Sequence, residues 1–240
     1  MSGIVLKNVN VTYKTKTEIF NILNNVSVAL PKHQVTAIIG ASGCGKTTLL
    51  KAILGLVDYE GEILFDNTDL RYISVQDRVF SYVSQNFSLF PKLTTFNNIA
   101  MPLKALRISG DEVRARVHEV ARLMKISECL TRKPKDLSEG QCQRVAIARS
   151  LIKKPNAYFF DEPFSALDGQ TSANIIQEMK AIFTLYHATV VFVCHDVETA
   201  LLIGDYFVIM DEGMVVEAGT KEQVIASDNP IVKGFFFLHD

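Results

Sequence analysis

No stretch of the 240-residue chain reaches the run of about 18 apolar residues that a membrane-spanning helix needs. Met1 to Asn10 lacks a charged start followed by an apolar core, so no secretory leader is expected and the chain should stay in the cytoplasm. Cysteine is sparse: Cys44, Cys129, Cys142 and Cys194 form no C-x-x-C pair, which points to reduced thiols and away from zinc ligands or a disulfide framework. Basic charge is not in excess. A net charge of −1 offers no footprint for nucleic acid or an anionic membrane. Low-complexity segments and internal repeats are absent as well. What is abundant is apolar material, 48% of the residues, enough for one large α/β domain or two small ones.

The most informative stretch is Gly40-Ala41-Ser42-Gly43-Cys44-Gly45-Lys46-Thr47-Thr48, which fits the phosphate-loop pattern G-x-x-x-x-G-K-[ST]. Its glycines let the backbone approach a ligand closely. Its N–H groups can converge into an anion nest, reinforced by the N-terminus of the helix that follows. Lys46 can reach the β- and γ-phosphates and the Thr47 hydroxyl can bind Mg²⁺. The flanks suit this role: Val35 to Ile39 reads as a buried strand, and Thr48 to Leu54 as a helix stopped by Gly55. Cys44 lies within the loop, where alkylation is expected to block ATP, and its place at the helix N-terminus is expected to lower its pKa.

The remaining segments surround this unit. Ile4 to Tyr13 and Asn24 to Leu30 read as antiparallel strands, Gly61 to Phe65 and Val79 to Val83 as further short strands. Tyr13, at a strand end, is placed to stack on a base. From Asn86 to Lys154 the pattern turns helical, with Val113, Val117, Val120, Ala121 and Met124 on one face of a helix over 111–125. Ser138 and Gln141 form a capping box that opens another helix, whose early Gly140 costs about 1 kcal/mol relative to Ala and suits close approach by a ligand.

Ala157 to Phe160 is an apolar strand delivering Asp161 and Glu162 to the sheet's carboxyl edge, where ligands bind in open α/β sheets. Alternation sends the two acids opposite ways. Asp161 suits the magnesium shell and Glu162 the attacking water. A helix over 171–186 follows. Thr189 to Cys194 is another core strand, ending at His195. Tyr206 to Met210 and Met214 to Glu217 form a hairpin, Thr220 to Gln223 a second capping box, and the apolar tail from Gly234 to Leu238 should dock on the core.

Taken together, Tyr13, the phosphate loop, Gln85, Leu137 to Gln141, Asp161-Glu162 with Ser165 to Asp168, and His195 resemble the ATP-binding subunit of ATP-binding cassette (ABC) transporters along essentially the whole chain. The likeness implies an α/β phosphate-loop NTPase: a mostly parallel core sheet, an N-terminal antiparallel β subdomain and an inserted helical subdomain. In one domain over 1–240, the core would take about 1–85 and 155–240 and the helical insert about 86–154.

The resemblance implies ATP and Mg²⁺ as ligands, and two copies packed head to tail. Ser138, Gly140, Gln141 and Asp168 of one copy would then serve the nucleotide held by the other's loop residues, Gly40 to Thr48. Tyr13 would stack on adenine. Thr47, Gln85 and Asp161 would attend the metal. Glu162 would act as base, with His195 and Lys46 on water and phosphate. It also implies an integral permease docked on Asn86 to Pro102, a solute-binding protein if the system imports, and a place on the cytoplasmic face of the membrane. The branch most resembled is the polar amino acid importers. Lipoprotein- or macrolide-type exporters, soluble family members and a regulatory module without turnover are the alternatives. The chain departs from the usual Leu-Ser-Gly-Gly-Gln at Glu139, which should point to solvent. Unlike in the sugar-importer ATPases, no appended domain is expected after about Asp240.

Overall fold

The computed structural model describes residues 3–15, 17–104, 106, 108–163 and 169–237. Ser165 to Asp168 and Leu238 lie outside the described residues. An antiparallel sheet is built from β1 (Ile4–Lys14), β2 (Ile19–Leu30), β4 (Glu60–Phe65) and the short β5 (Thr68–Asp69), in the order β2-β1-β4-β5. A second sheet takes β3 (Val35–Gly40), β6 (Phe80–Val83), β7 (Ala157–Asp161), β8 (Thr189–Cys194), β9 (Tyr206–Asp211) and β10 (Met214–Thr220), in the order β10-β9-β3-β8-β7-β6. Every pairing in it is parallel except the β9–β10 hairpin. The expected α/β class with a mostly parallel core and an antiparallel N-terminal sheet is therefore observed.

The parallel strands are near-continuous apolar runs because both of their faces are covered. Alternate residues go to different cores. Val35, Ala37 and Ile39 face one cluster and Ile38 the other; Val190, Phe192 and Cys194 oppose Val191 and Val193 in the same way. The second cluster is closed by the antiparallel sheet and by α1 (Lys46–Leu54). The first is closed by α2 (Thr95–Lys104), α3 (Gly110–Leu123), α4 (Glu139–Leu151), α5 (Gly169–Leu185), α6 (Val197–Ile203), α7 (Lys221–Ile225) and α8 (Pro230–Phe237). Each large side chain buried there contributes about 1.5–3 kcal/mol.

Expected boundaries hold within a few residues, with instructive shifts. β2 begins at Ile19 instead of Asn24 because its first residues pair with Tyr13 and Lys14. The capping boxes at Ser138–Gln141 and Thr220–Gln223 are both complete. Val117, Val120, Ala121 and Met124 are buried as the periodicity of α3 requires. In the tail, Val232 is buried and Phe235 and Phe236 pack against the core.

Candidate nucleotide-binding site

β3 runs straight into the phosphate loop and α1 leaves it. Gly45 caps α1 at φ 105° with no side-chain cap, so no side chain competes for the first-turn N–H groups. Gly40 has no room for a side chain: a Cβ there would lie 2.3 Å from the Met210 carbonyl oxygen. Gly43, at φ 82°, would place a Cβ in open space, and the residue lines the cleft described below. Lys46 is buried, and its Nζ donates to the carbonyls of Gly40 (2.7 Å) and Ala41 (2.9 Å). The ammonium is thus held at the centre of the loop.

The back of the loop is braced from a distant element. The β9–β10 turn, Glu212 at φ 42° and Gly213 at φ 77°, has the doubly positive form that fits a two-residue hairpin. The Gly213 N–H donates to the Cys44 carbonyl (3.1 Å), and its carbonyl accepts from the Asn24 N–H (2.9 Å). A Cβ on Gly213 would fall 2.4 Å from the Ile22 carbonyl oxygen. This brace was not foreseen; the only signal for it was a glycine in a short turn.

Asp161 ends β7 and is buried. One carboxylate oxygen accepts from Thr47 Oγ1 (2.9 Å) and the other from the Tyr82 hydroxyl (3.1 Å). Burial, and after it the Asp161 charge, pushes the Tyr82 phenol well above its ordinary pKa, so it remains a donor. In the sequence pattern Tyr82 is only a strand residue; its bond to Asp161 comes from the fold. Glu162 does diverge from Asp161, but not by strand alternation alone. It leaves the strand at φ 47°, a backbone region uncommon for residues other than glycine. Its N–H donates to the Val193 carbonyl (3.1 Å), and its carboxylate lies 3.5 Å from His195 Nδ1.

A cleft of about 410 Å³ brings together Tyr13, Ser42, Gly43, Gly45, Lys46, Thr47 and Thr48 with Gln85 and Glu162. His195, its side chain more than half exposed, approaches Glu162 but is not part of the lining. Ser138, Gly140 and Gln141 sit at the start of α4, also outside the lining. Glu139 is exposed, as expected.

Cys44 requires a correction. The helix N-terminus was expected to lower its pKa, but burial pushes the thiol up and outweighs the pull of Lys46. Its side chain is buried, so the shift runs opposite to the one expected from the helix N-terminus.

The family description "ABC transporter" matches residues 23–165. The chain belongs to the ABC transporter family. It carries that family's ATP-binding cassette. The cassette is 39% identical over 209 residues to the spermidine/putrescine import ATP-binding protein PotA of Thermotoga maritima, covering 87% of this chain and 57% of the relative. It is 41% identical over 205 residues to the molybdate/tungstate import ATP-binding protein WtpC of Pyrococcus horikoshii, covering 85% and 59%. With the sulfate/thiosulfate import ATP-binding protein CysA of Bacillus cereus it shares 38% identity over 216 residues, covering 88% and 60%. The chain thus spans less than two thirds of the length of these relatives. A dimeric structure of the ATP-binding cassette MJ0796, in a post-hydrolysis state with ADP and Pi, superposes at a TM-score of 0.83 and 34% identity, covering 90% of this chain and 98% of that one.

The site's donor set fits the family's ligands. Mg²⁺ takes one or two protein oxygens beside phosphates, and the cassette offers the Thr47 hydroxyl and the Asp161 carboxylate as a bonded pair. Among the described residues no group of three or more His, Cys, Asp or Glu forms a cage that would suit another metal.

Proposed function

We propose that this chain energises import of a small hydrophilic solute by clamping ATP between two copies of itself. The observation that carries the reading is the division of parts. One cleft gathers the phosphate loop, Tyr13, Gln85 and Glu162, while Ser138, Gly140 and Gln141 lie outside it. A second copy, turned head to tail, would bring its own α4 N-terminus to the open side, and the dimeric MJ0796 cassettes support this arrangement. Asp168, outside the described residues, would signal between the two sites. Ser138 accepts a bond from the Gln141 N–H (3.3 Å), which leaves its hydroxyl proton to donate across the interface.

Within the cleft, Tyr13 is exposed enough to stack on a base. The loop N–H groups and Lys46 cradle phosphate. Thr47 and Asp161 would hold Mg²⁺, with Gln85 beside them; the metal, when bound, supplies charge neutralisation. Glu162 takes the proton of the attacking water, and His195 steadies the Glu162 carboxylate. Positioning and charge supply most of what phosphoryl transfer needs. Glu139→Gly should leave turnover within about fivefold, since an exposed charge at a helix start is worth about 0.3–1 kcal/mol. A rise of about tenfold or more in a phosphate-release assay would show that Glu139 faces the phosphate.

Import is favoured by the names of the three relatives above. Those names carry polyamine, sulfate and molybdate; the polar amino acids stay in the proposal only as members of the same broad class of small hydrophilic solutes. No described helix is long and apolar enough to cross a membrane, so the work would be done on separate permease subunits at the cytoplasmic face. A groove of about 520 Å³ beside the segment after Gln85 suits a permease helix. Phe90 and Met101, 42% and 38% exposed, lie on it, with Arg149 over the Phe90 ring. Met101→Asp should release the chain from the membrane fraction while the isolated chain keeps its ATP turnover within about twofold, as a surface change should. Retention in the membrane fraction would count against this groove.

A further inference from the structure

The geometry points to Gln143 as a positioning residue that ties the start of α4 to Glu162. The inference rests on the functional reading above. Gln143 is fully buried on the inner face of α4. Its Nε2 donates to the Pro163 carbonyl at 2.6 Å, and among the described residues its Oε1 has no partner. A buried amide with one orphaned oxygen is a poor choice for packing, where an apolar side chain of the same size would do better. What Gln143 adds is its hold on the residue that follows Glu162.

That hold matters because Glu162 is strained. A non-glycine residue at φ 47° persists only when its surroundings over-determine it. On one side its N–H is fixed to Val193 on β8. On the other stands Pro163, whose ring already restricts φ. Fixing the Pro163 carbonyl closes the second side, and the direction of the Glu162 side chain follows.

The neighbouring residue extends the tie. Arg144 Nη1 donates to Glu178 Oε2 on α5 (2.7 Å) and to the Met124 carbonyl (3.1 Å). Burial alone would raise the Glu178 pKa, but the bonds from Lys125 and Arg144 win and hold it down, so the link stays ionic. α4 thus grips the chain on both sides of residues 164–168. Ser138 caps this same helix, a little more than one turn ahead of Gln143. A helix moves as a rigid rod over that distance. Whatever seats or unseats the α4 N-terminus is therefore passed to the backbone that aims Glu162.

The test uses the full chain with Gln143→Leu and, as a second apolar substitute in case Leu does not fold, Gln143→Met. The expected result is a fall in kcat of about tenfold to a hundredfold, the size of effect a misplaced catalytic group produces. KM for ATP and the melting temperature should stay the same, or the melting temperature rise. In a Glu162→Gln background the same change should leave the single-turnover rate unaltered, because the residue it acts through is already disabled. A kcat within about twofold of the unaltered chain would overturn the proposal. So would an equal loss in the Glu162→Gln background, or a loss that follows a drop in melting temperature in both apolar variants. Absence of Mg²⁺-dependent turnover in the unaltered chain would sink the functional reading instead.

Discussion

Glu162→Gln should lower ATP turnover by about 10²–10⁴-fold, the range for removing a general base, and should leave nucleotide binding intact. The amide is nearly the same shape, so the backbone held at φ 47° and the neighbour His195, 3.5 Å away, need not move. What is lost is only the ability to accept a proton. Nothing in the phosphate loop or in the Thr47–Asp161 pair changes, so ATP and Mg²⁺ still enter. In the proposed clamp, hydrolysis would no longer part the two copies, so a stable pair of chains should accumulate with ATP. Light scattering with saturating ATP and Mg²⁺ should show the mass double, and without nucleotide it should not. Unchanged turnover would remove Glu162 from its role. A variant that hydrolyses nothing yet stays solitary would remove the head-to-tail clamp.

Lys46→Ala has the second largest expected effect, on binding more than on chemistry. Among the described residues lining the cleft, Lys46 is the one cation. It is buried, with its ammonium fixed by the Gly40 and Ala41 carbonyls, so it meets phosphate already oriented. A charge pair at 4 Å and an effective dielectric of 20 is worth about 4 kcal/mol. Allowing for the water that replaces the ammonium, ATP affinity should fall by about 10²–10³-fold. The ATP-induced rise in melting temperature should disappear, since that rise depends on ligand concentration relative to Kd. Lys46→Arg should recover little, because a planar fork does not match two loop carbonyls that hold a point charge. A full thermal shift in Lys46→Ala would exclude the ammonium as a phosphate ligand.

Local signals carried most of the fold and half of the site. Gly40 to Thr48 declared itself because a strand, a glycine loop and a helix must follow one another in the chain. The Ser138–Gln141 capping box, the α3 face and the β9–β10 hairpin were equally local. Cys44 shows where such reading fails. Its helix-end position argued for a lowered pKa, but distant packing buried the thiol and reversed the sign.

By itself the amino-acid sequence determined the class of the chain, its phosphate-loop pattern and most of the residues that line the cleft. These depend on backbone conformation, side-chain type and short spacings. Only the tertiary structure decided which distant groups hold those residues in place: Tyr82 on Asp161, Gly213 behind Cys44, Gln143 on Pro163. It also set the order β10-β9-β3-β8-β7-β6, which puts β3 at the centre. Such pairings join residues far apart in the chain. No period or motif encodes them, because they are selected by the joint packing of both faces of one sheet.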